Sequence, residues 1–342
     1  MATASMTNPI YTANLIKSDG TKYRLKGVTT DLVTNHGKDE LAEKVTLSLV
    51  NVKVGTKWLH SLISLKDKVY VYANTGSGSK LVFQGFVWER GLDTAADSKD
   101  IRLICYDRLI YFHNCKDNLF VKKGKKTKDI VTSLAKKWGF KISYKYSSIS
   151  HGKLVHHNES IADILISVLD EVKKKTGKDY VIRFENNVMV IETVGSNSTI
   201  YKIENGKNSL NVRYAQTMEG MVTKVLIVKA ETVKKKDSEE ETGKYLTVTS
   251  LTKNTKTYGT LQDIIVKNKD DKLSEVKKEA QEILNKNGSP KSEISVSAVN
   301  NPWIKKGHKV HIKSGNLNNY YIVQGIEHNA TDNVMELEVK KA

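Results

Sequence analysis

Val45-Thr46-Leu47-Ser48-Leu49-Val50 is the stretch on which the fold reading of this 342-residue chain turns. Val45, Leu47 and Leu49 alternate with Thr46, Ser48 and Val50, and a period of two is the mark of a half-buried strand. Working outward, KVYVYA (68–73), LVFQGFVWE (81–89) and IRLICYDRLIYF (101–112) are rich in β-branched and aromatic residues, with Asn, Gly, Asp and Ser clusters between them. These are strand and turn signals. Several strands at short spacing, with no helical period between them, predict an antiparallel barrel or sandwich over 10–115.

The period changes after that. Ile130, Val131, Leu134, Ala135 and Trp138 form one face of a predicted helix, Thr127 to Gly139, with Thr127 as its cap and Gly139 as its left-handed stop. A second helix is predicted from about Ser160 to Lys175. Its face is Ile161, Ile164, Leu165, Val168, Leu169 and Val172, its cap Asn158 or Ser160, and its stop Gly177. YVIRF (180–184) and VMVIE (188–192) then flank Glu185-Asn186-Asn187 as a hairpin, because Asn tolerates positive φ. Residues 116–195 therefore read as a small α+β unit.

Strands return at VRYA (212–215), MVTKVLIV (221–228) and YLTVTSL (245–251). Between the last two, Lys229 to Lys244 is dense in mixed charge and reads as a solvated loop. A third helix is predicted over 272–287, with Leu273, Val276, Ala280, Ile283 and Leu284 inward and Gly288 and Pro290 as stops. EISVSAV (293–299), KVHI (309–312), YYIV (320–323) and MELEV (335–339) are the closing strands.

Composition narrows the function. No run approaches the roughly 20 apolar residues of a membrane span, so no membrane partner is expected. MATASMTNPIYTA lacks a basic and an apolar leader region, which predicts synthesis in a bacterial cytoplasm without secretion. Cys105 and Cys115 are too few for a disulfide framework and lack zinc-site spacing. The net charge is +17, yet only six of the 55 basic residues are arginine: Arg24, Arg90, Arg102, Arg108, Arg183 and Arg213. Base readers and phosphate clamps use the arginine fork. Lysine spread through every segment reads as surface charge, compatible at most with non-specific DNA passage through a lumen.

The chemical motifs are weak. Gly76-Ser77-Gly78-Ser79-Lys80 precedes a strand rather than a helix, so it reads as a hairpin loop and not a phosphate loop. His151, His156 and His157 lack metal-ligand spacing and read as solvated or packed histidines. Neither a nucleophile elbow nor a zincin motif is present. No catalytic, cofactor-binding or metal-binding residue is assigned, and the chain is expected not to be an enzyme. Trp58, Trp88, Trp138 and Trp303 are expected in the core, with interface anchoring as the alternative.

Two resemblances add to this. FVKKGKKTKDIVTSLAKKWGF (120–140) resembles the first half of a LysM module, with Lys125-Lys126 where Asp usually precedes Thr. It implies peptidoglycan binding as an alternative function; a tail-associated peptidoglycan hydrolase is another. The C-terminal half carries Glu219-Gly220-Met221-Val222-Thr223-Lys224-Val225, Tyr258-Gly259-Thr260-Leu261-Gln262, then Asn301-Pro302-Trp303-Ile304-Lys305-Lys306-Gly307-His308, Tyr320-Tyr321-Ile322-Val323 and His328. In order and spacing these are similar to baseplate hub proteins of contractile phage tails, the XkdQ/YqbQ-like family of prophages and phage-tail-like bacteriocins. The resemblance implies a mainly β chain with α+β insertions, two tube-like antiparallel β-barrel domains joined by a small α+β domain. The expected domains are 1–115, the first barrel; 116–195, the α+β domain; and 196–342, the second barrel with a charged loop (229–244) and a helix (272–287). It also implies a homotrimeric hub in a virion or bacteriocin baseplate, contacting the tail tube protein, the central spike and other baseplate proteins.

Overall fold

The structure is a computed structural model describing residues 8–94, 99–235, 238–268 and 271–342. The chain is mainly β, 51% strand and 17% helix. It forms two compact units, Met1–Val212 with Ser295–Ala342, and Arg213–Ile294. No helix among the described residues is long and apolar enough to cross a membrane.

In the first unit the strands Thr29–His36, Lys44–Val50, Lys99–Tyr106, Ser79–Thr94, Lys68–Asn74, Ile10–Ile16 and Lys22–Arg24 lie side by side in that order, all antiparallel. Alternation holds where it was read: Val45, Leu47 and Leu49 are fully buried. Leu15, Leu32, Leu47, Val69, Val71, Phe83, Val87 and Leu103 from six of these strands share one core. Beyond the strands, among the described residues only Leu25, Leu59 of the short helix Leu59–Leu62, and Ile63 contribute fully buried side chains to it. Gly76 and Gly78, both at positive φ, lie in the hairpin joining Lys68–Asn74 to Ser79–Thr94, a turn and not a phosphate loop.

Thr29–His36 has a second neighbour from the far end of the chain, Leu317–Asn329. That strand also pairs with Val334–Lys341 and Lys309–Ser314, and the latter takes Tyr201–Glu204 in parallel. Lys291–Val299 and Ser209–Thr217 continue the order beyond Val334–Lys341. The early and late strands thus form one thirteen-stranded sheet.

The 101–112 stretch is not one strand. It stops at Tyr106, and Ile110–Asn114 is a helical turn. Asp107 causes the break: its buried carboxylate accepts from Leu109 N at 2.7 Å and from Glu43 N at 3.0 Å, drawing the backbone out of the ladder.

Helices Thr127–Lys137 and Ile161–Thr176 pack with strands Lys141–Lys145, Tyr180–Glu185 and Val188–Thr193 around a second core. Ser160 caps the second helix through Asp163 N at 3.0 Å, and Gly177 closes it at φ +68°. The first helix is different at its start. Lys126 occupies the cap position, and the Thr127 hydroxyl instead bonds the 149–151 segment. Asn186 and Asn187, both at positive φ, make the hairpin turn. Lys141–Lys145 runs parallel to Val188–Thr193, while Lys116–Val121 pairs with Leu154–Ser160. The LysM-like order of strand, turn and helix is therefore present, but the strand after the helix goes to a different sheet.

In the second unit, helix Leu273–Asn287 buries Val276, Ala280 and Leu284 against Val225 and Ile227. Its strands are Ser238–Thr252, Lys224–Lys235 and Gln262–Val266. The expected loop over 229–244 is instead the end of a long hairpin, paired as far as Lys235 opposite Ser238; residues 236 and 237 lie outside the described residues. Gly288 stops the helix at φ −80°, so its value is space rather than handedness: an added Cβ would lie 2.2 Å from Leu284 O.

Gly85 is the tightest point of the sheet core, where a Cβ would meet Tyr106 O at 2.2 Å. Gly85→Ala should lower stability by about 3 kcal/mol through overpacking, read as a reduced urea midpoint with an unchanged slope.

Candidate functional site

The 301–308 turn singled out in the sequence is held by its own backbone and by three distant segments. Asn301 Oδ1 accepts from Trp303 N at 3.1 Å and Pro302 is buried, which sets the direction of the turn. Gly307 follows at φ +85°, and a Cβ there would lie 2.6–2.9 Å from the Val181 side chain. Gly307 N donates to Val323 O, and Gly307 O accepts from Gly195 N, both at 2.8 Å. Val310 and Ile312 then enter the sheet fully buried, as the alternation predicts.

Charge gathers on this turn. Arg183, 6% exposed, donates to Lys306 O at 2.7 Å and pairs with Glu185 at 2.7 Å and with Glu192. Lys305 adds a second cation to Glu185 at 3.1 Å. Despite burial, these two cations hold the Glu185 carboxyl down to about 2. Lys306 Nζ donates to Gly37 O at 2.8 Å and to Glu40 O at 2.6 Å. One turn therefore joins residues 37–40, 183–192 and 301–308.

Beneath it lies a cavity of about 40 Å³, whose lining includes Tyr11, His36, Glu43, Arg183, Lys306 and His328. His328 Nε2 lies 3.1 Å from Ile304 O and Nδ1 lies 2.7 Å from Asn300 Oδ1. Burial lowers its pKa to about 4, so the ring is neutral and donates from one nitrogen only. Ile304 O can only accept. The same holds for Asn300 Oδ1, so the single ring proton serves one of these two oxygens, while the Asn300 NH2 donates to Tyr11 Oη at 3.1 Å. His36 is 4% exposed and its Nε2 has no hydrogen-bond partner. Burial, then the Lys306 and Arg183 charges, lowers it to about 3. Burial, then Asp107, pushes Glu43 up to about 8, and burial pushes Asp107 up to about 7. Such a closed cluster fastens segments together. It does not present a nucleophile to a substrate.

The three histidines grouped in the sequence separate. His151, 2% exposed, lies between Thr127 Oγ1 at 2.8 Å and Glu171 Oε2 at 2.6 Å. This has the order of a hydrolytic triad, but Thr127 is fully buried and its hydroxyl is already bonded to Ile149 N at 3.0 Å. His156 pairs with Glu159 at 2.9 Å, and His157 is exposed. Among the described residues no group of His, Cys, Asp and Glu has the geometry to hold a metal ion. The tryptophans do not sit in the core as expected. Trp58 and Trp88 are exposed and Trp138 and Trp303 half-buried, with Lys53 over Trp58 and Lys80 over Trp303 at 5.5 and 5.3 Å. The cations at Trp58 and Trp303, and the indole N–H of Trp138 donated to Asp117 at 3.2 Å, keep one side of these three near water, while Trp88 packs against Phe86, Tyr106 and Tyr111.

The fold is that of phage tail proteins. A tail protein of Neisseria meningitidis MC58 matches at 13% identity and a TM-score of 0.66, covering 97% of this chain and 96% of that one. The 43 kDa tail protein of prophage MuSo2 of Shewanella oneidensis matches at 12% identity and a TM-score of 0.67, covering 97% and 98%. A lidded PdpA–VgrG complex of Francisella contains a similar chain at 10% identity and a TM-score of 0.55, covering 97% of this chain and 52% of that one. No curated protein sequence gives a significant match. The YQBQ-like family profile matches residues 37–340, and the chain belongs to that family.

Two outcomes follow for the cluster. Arg183→Met takes the guanidinium from Glu192 and leaves Glu185 with Lys305 only, and should cost about 3 kcal/mol, seen in the urea midpoint. Stability should also peak near pH 6.5. Glu43 and Asp107 have raised folded pKa values, so their contribution is present at low pH and is lost as pH rises toward about 8. His36, His308 and His328, lowered to about 3, 4 and 4, contribute above pH 6.5 and lose that contribution as pH falls through those values. Lys306, lowered to about 8, acts only above that pH. Glu43→Gln should flatten the fall between pH 6.5 and 8 and steepen the rise between about pH 4.5 and 6.5, where the Glu43 titration opposes that of the histidines, in urea midpoints measured across pH.

Proposed function

We propose that the chain is the structural hub of a phage or phage-like contractile tail baseplate, a homotrimer that links the tail tube to the central spike and touches other baseplate proteins. The observation that carries this reading is likeness along the whole length, in both directions, to two solved tail proteins. The similar chain in the PdpA–VgrG complexes supports a position beside the spike. The closed polar cluster supports a structural role over a catalytic one, since it joins distant segments and opens no reactive group. Dispersed lysine charge, within a net of +17, suits a wall past which DNA moves without being read. The place of work is then the virion tail or a bacteriocin particle.

Light scattering after size exclusion tests this, on the chain alone and mixed with the tail tube and spike proteins encoded beside it. A trimer, alone or on the spike, that also retains tube protein is the expected result. A chain that stays monomeric and binds neither protein overturns the reading, as does lysis of peptidoglycan in a zymogram.

A further inference from the structure

The ribbon of Lys116–Val121 and Leu154–Ser160 is covered on one face only. Leu119, Val121 and Leu154 pack on the core beneath. On the other face Phe120 and Val155 stand directly opposite each other, 61% and 62% exposed. Neither strand has a further strand partner among the described residues. The chain continues from Val121 into Lys122, Lys123, Lys125, Lys126 and Lys128, all exposed and none with an ion-pair partner among the described residues. Lys153 Nζ lies 5.6 Å from the Phe120 ring centre. The ribbon's own acids are already engaged, Asp117 with Lys137 and Trp138, Glu159 with His156. The run from Lys122 to Lys128 contains no acidic residue, and Asp129 follows it.

We propose that this face docks an extended acidic protein segment, which adds as a strand to the ribbon and seats an apolar side chain on Phe120 and Val155. Three features favour a polypeptide. A strand without an outer partner offers backbone groups that only another backbone can complete. An apolar pair at the centre has no counterpart in a chain of phosphates. Lysines without arginine supply point charge, which suits scattered carboxylates better than bidentate phosphate contacts. The inference goes beyond the hub reading and does not depend on trimer formation.

The test uses the full chain and a labelled peptide of alternating Glu and Val, followed by fluorescence anisotropy. Polyglutamate, inorganic polyphosphate and an alternating Lys-Val peptide serve as competitors, and purified peptidoglycan is tested by co-sedimentation. The Glu-Val peptide should bind, more weakly as salt rises from about 50 to 200 mM. Phe120→Ser should weaken it about fivefold, and Lys122→Glu with Lys125→Glu about tenfold, with urea midpoints unchanged because all three side chains are exposed. The proposal fails if the peptide does not bind below about 1 mM, or if neither variant changes its affinity. It also fails if polyphosphate competes as well as the peptide and is indifferent to Phe120→Ser, which would make the face a general polyanion surface. Retention on peptidoglycan that is lost in Phe120→Ser, without peptide binding, would assign the face to glycan instead.

Discussion

One lysine ammonium and one guanidinium hold the ends of this chain to its middle. Lys306 reaches the carbonyls of residues 37 and 40, and Arg183 reaches the carbonyl of Lys306. Backbone carbonyls at a segment junction have no ladder to satisfy them, and leaving such groups buried and unbonded is costly. Positive side chains are the means by which this junction closes. Glu185 and Glu192 then offset the charge so introduced. Gly307 belongs to the same constraint, because the backbone approaches Val181 too closely for any side chain.

Much of the local structure was legible because it depends on short-range pattern. Val45, Leu47 and Leu49 point inward because a strand alternates. Ile161 to Val172 form a helix face because their spacing matches the turn, with Ser160 and Gly177 bounding it. The stops were less secure. Asp107 ends a strand inside a run of apolar residues because its carboxylate competes for backbone N–H groups, two of which lie in different segments. The 229–244 segment was read as loop from its charge, whereas the backbone ladder continues into it and extends the hairpin.

The junction itself was not legible. The 301–308 motif stood out as a turn leading into a strand, and it is one. Nothing in it announces Arg183, more than a hundred residues earlier, or Gly37. His36, Glu43 and Asp107 carry no motif, and their shifted titration follows from burial that only the completed fold supplies. Tryptophan placement failed for a related reason: the indole N–H and nearby lysines favour half-wet positions, which hydrophobicity alone does not register.

The pairing of Thr29–His36 with Leu317–Asn329, secured by Asn35 Nδ2 to Glu327 Oε2 at 2.9 Å, also sets a timetable. A ribosome adding about 5–20 residues per second needs roughly 15–60 seconds to reach the partner strand. For that interval the first strands pack on their own core with one edge unpaired, open to the same edge of another nascent chain. Cells that make many copies at once therefore face a risk of mispairing in this half-built state, and a chaperone, or fast translation up to residue 317, would relieve it.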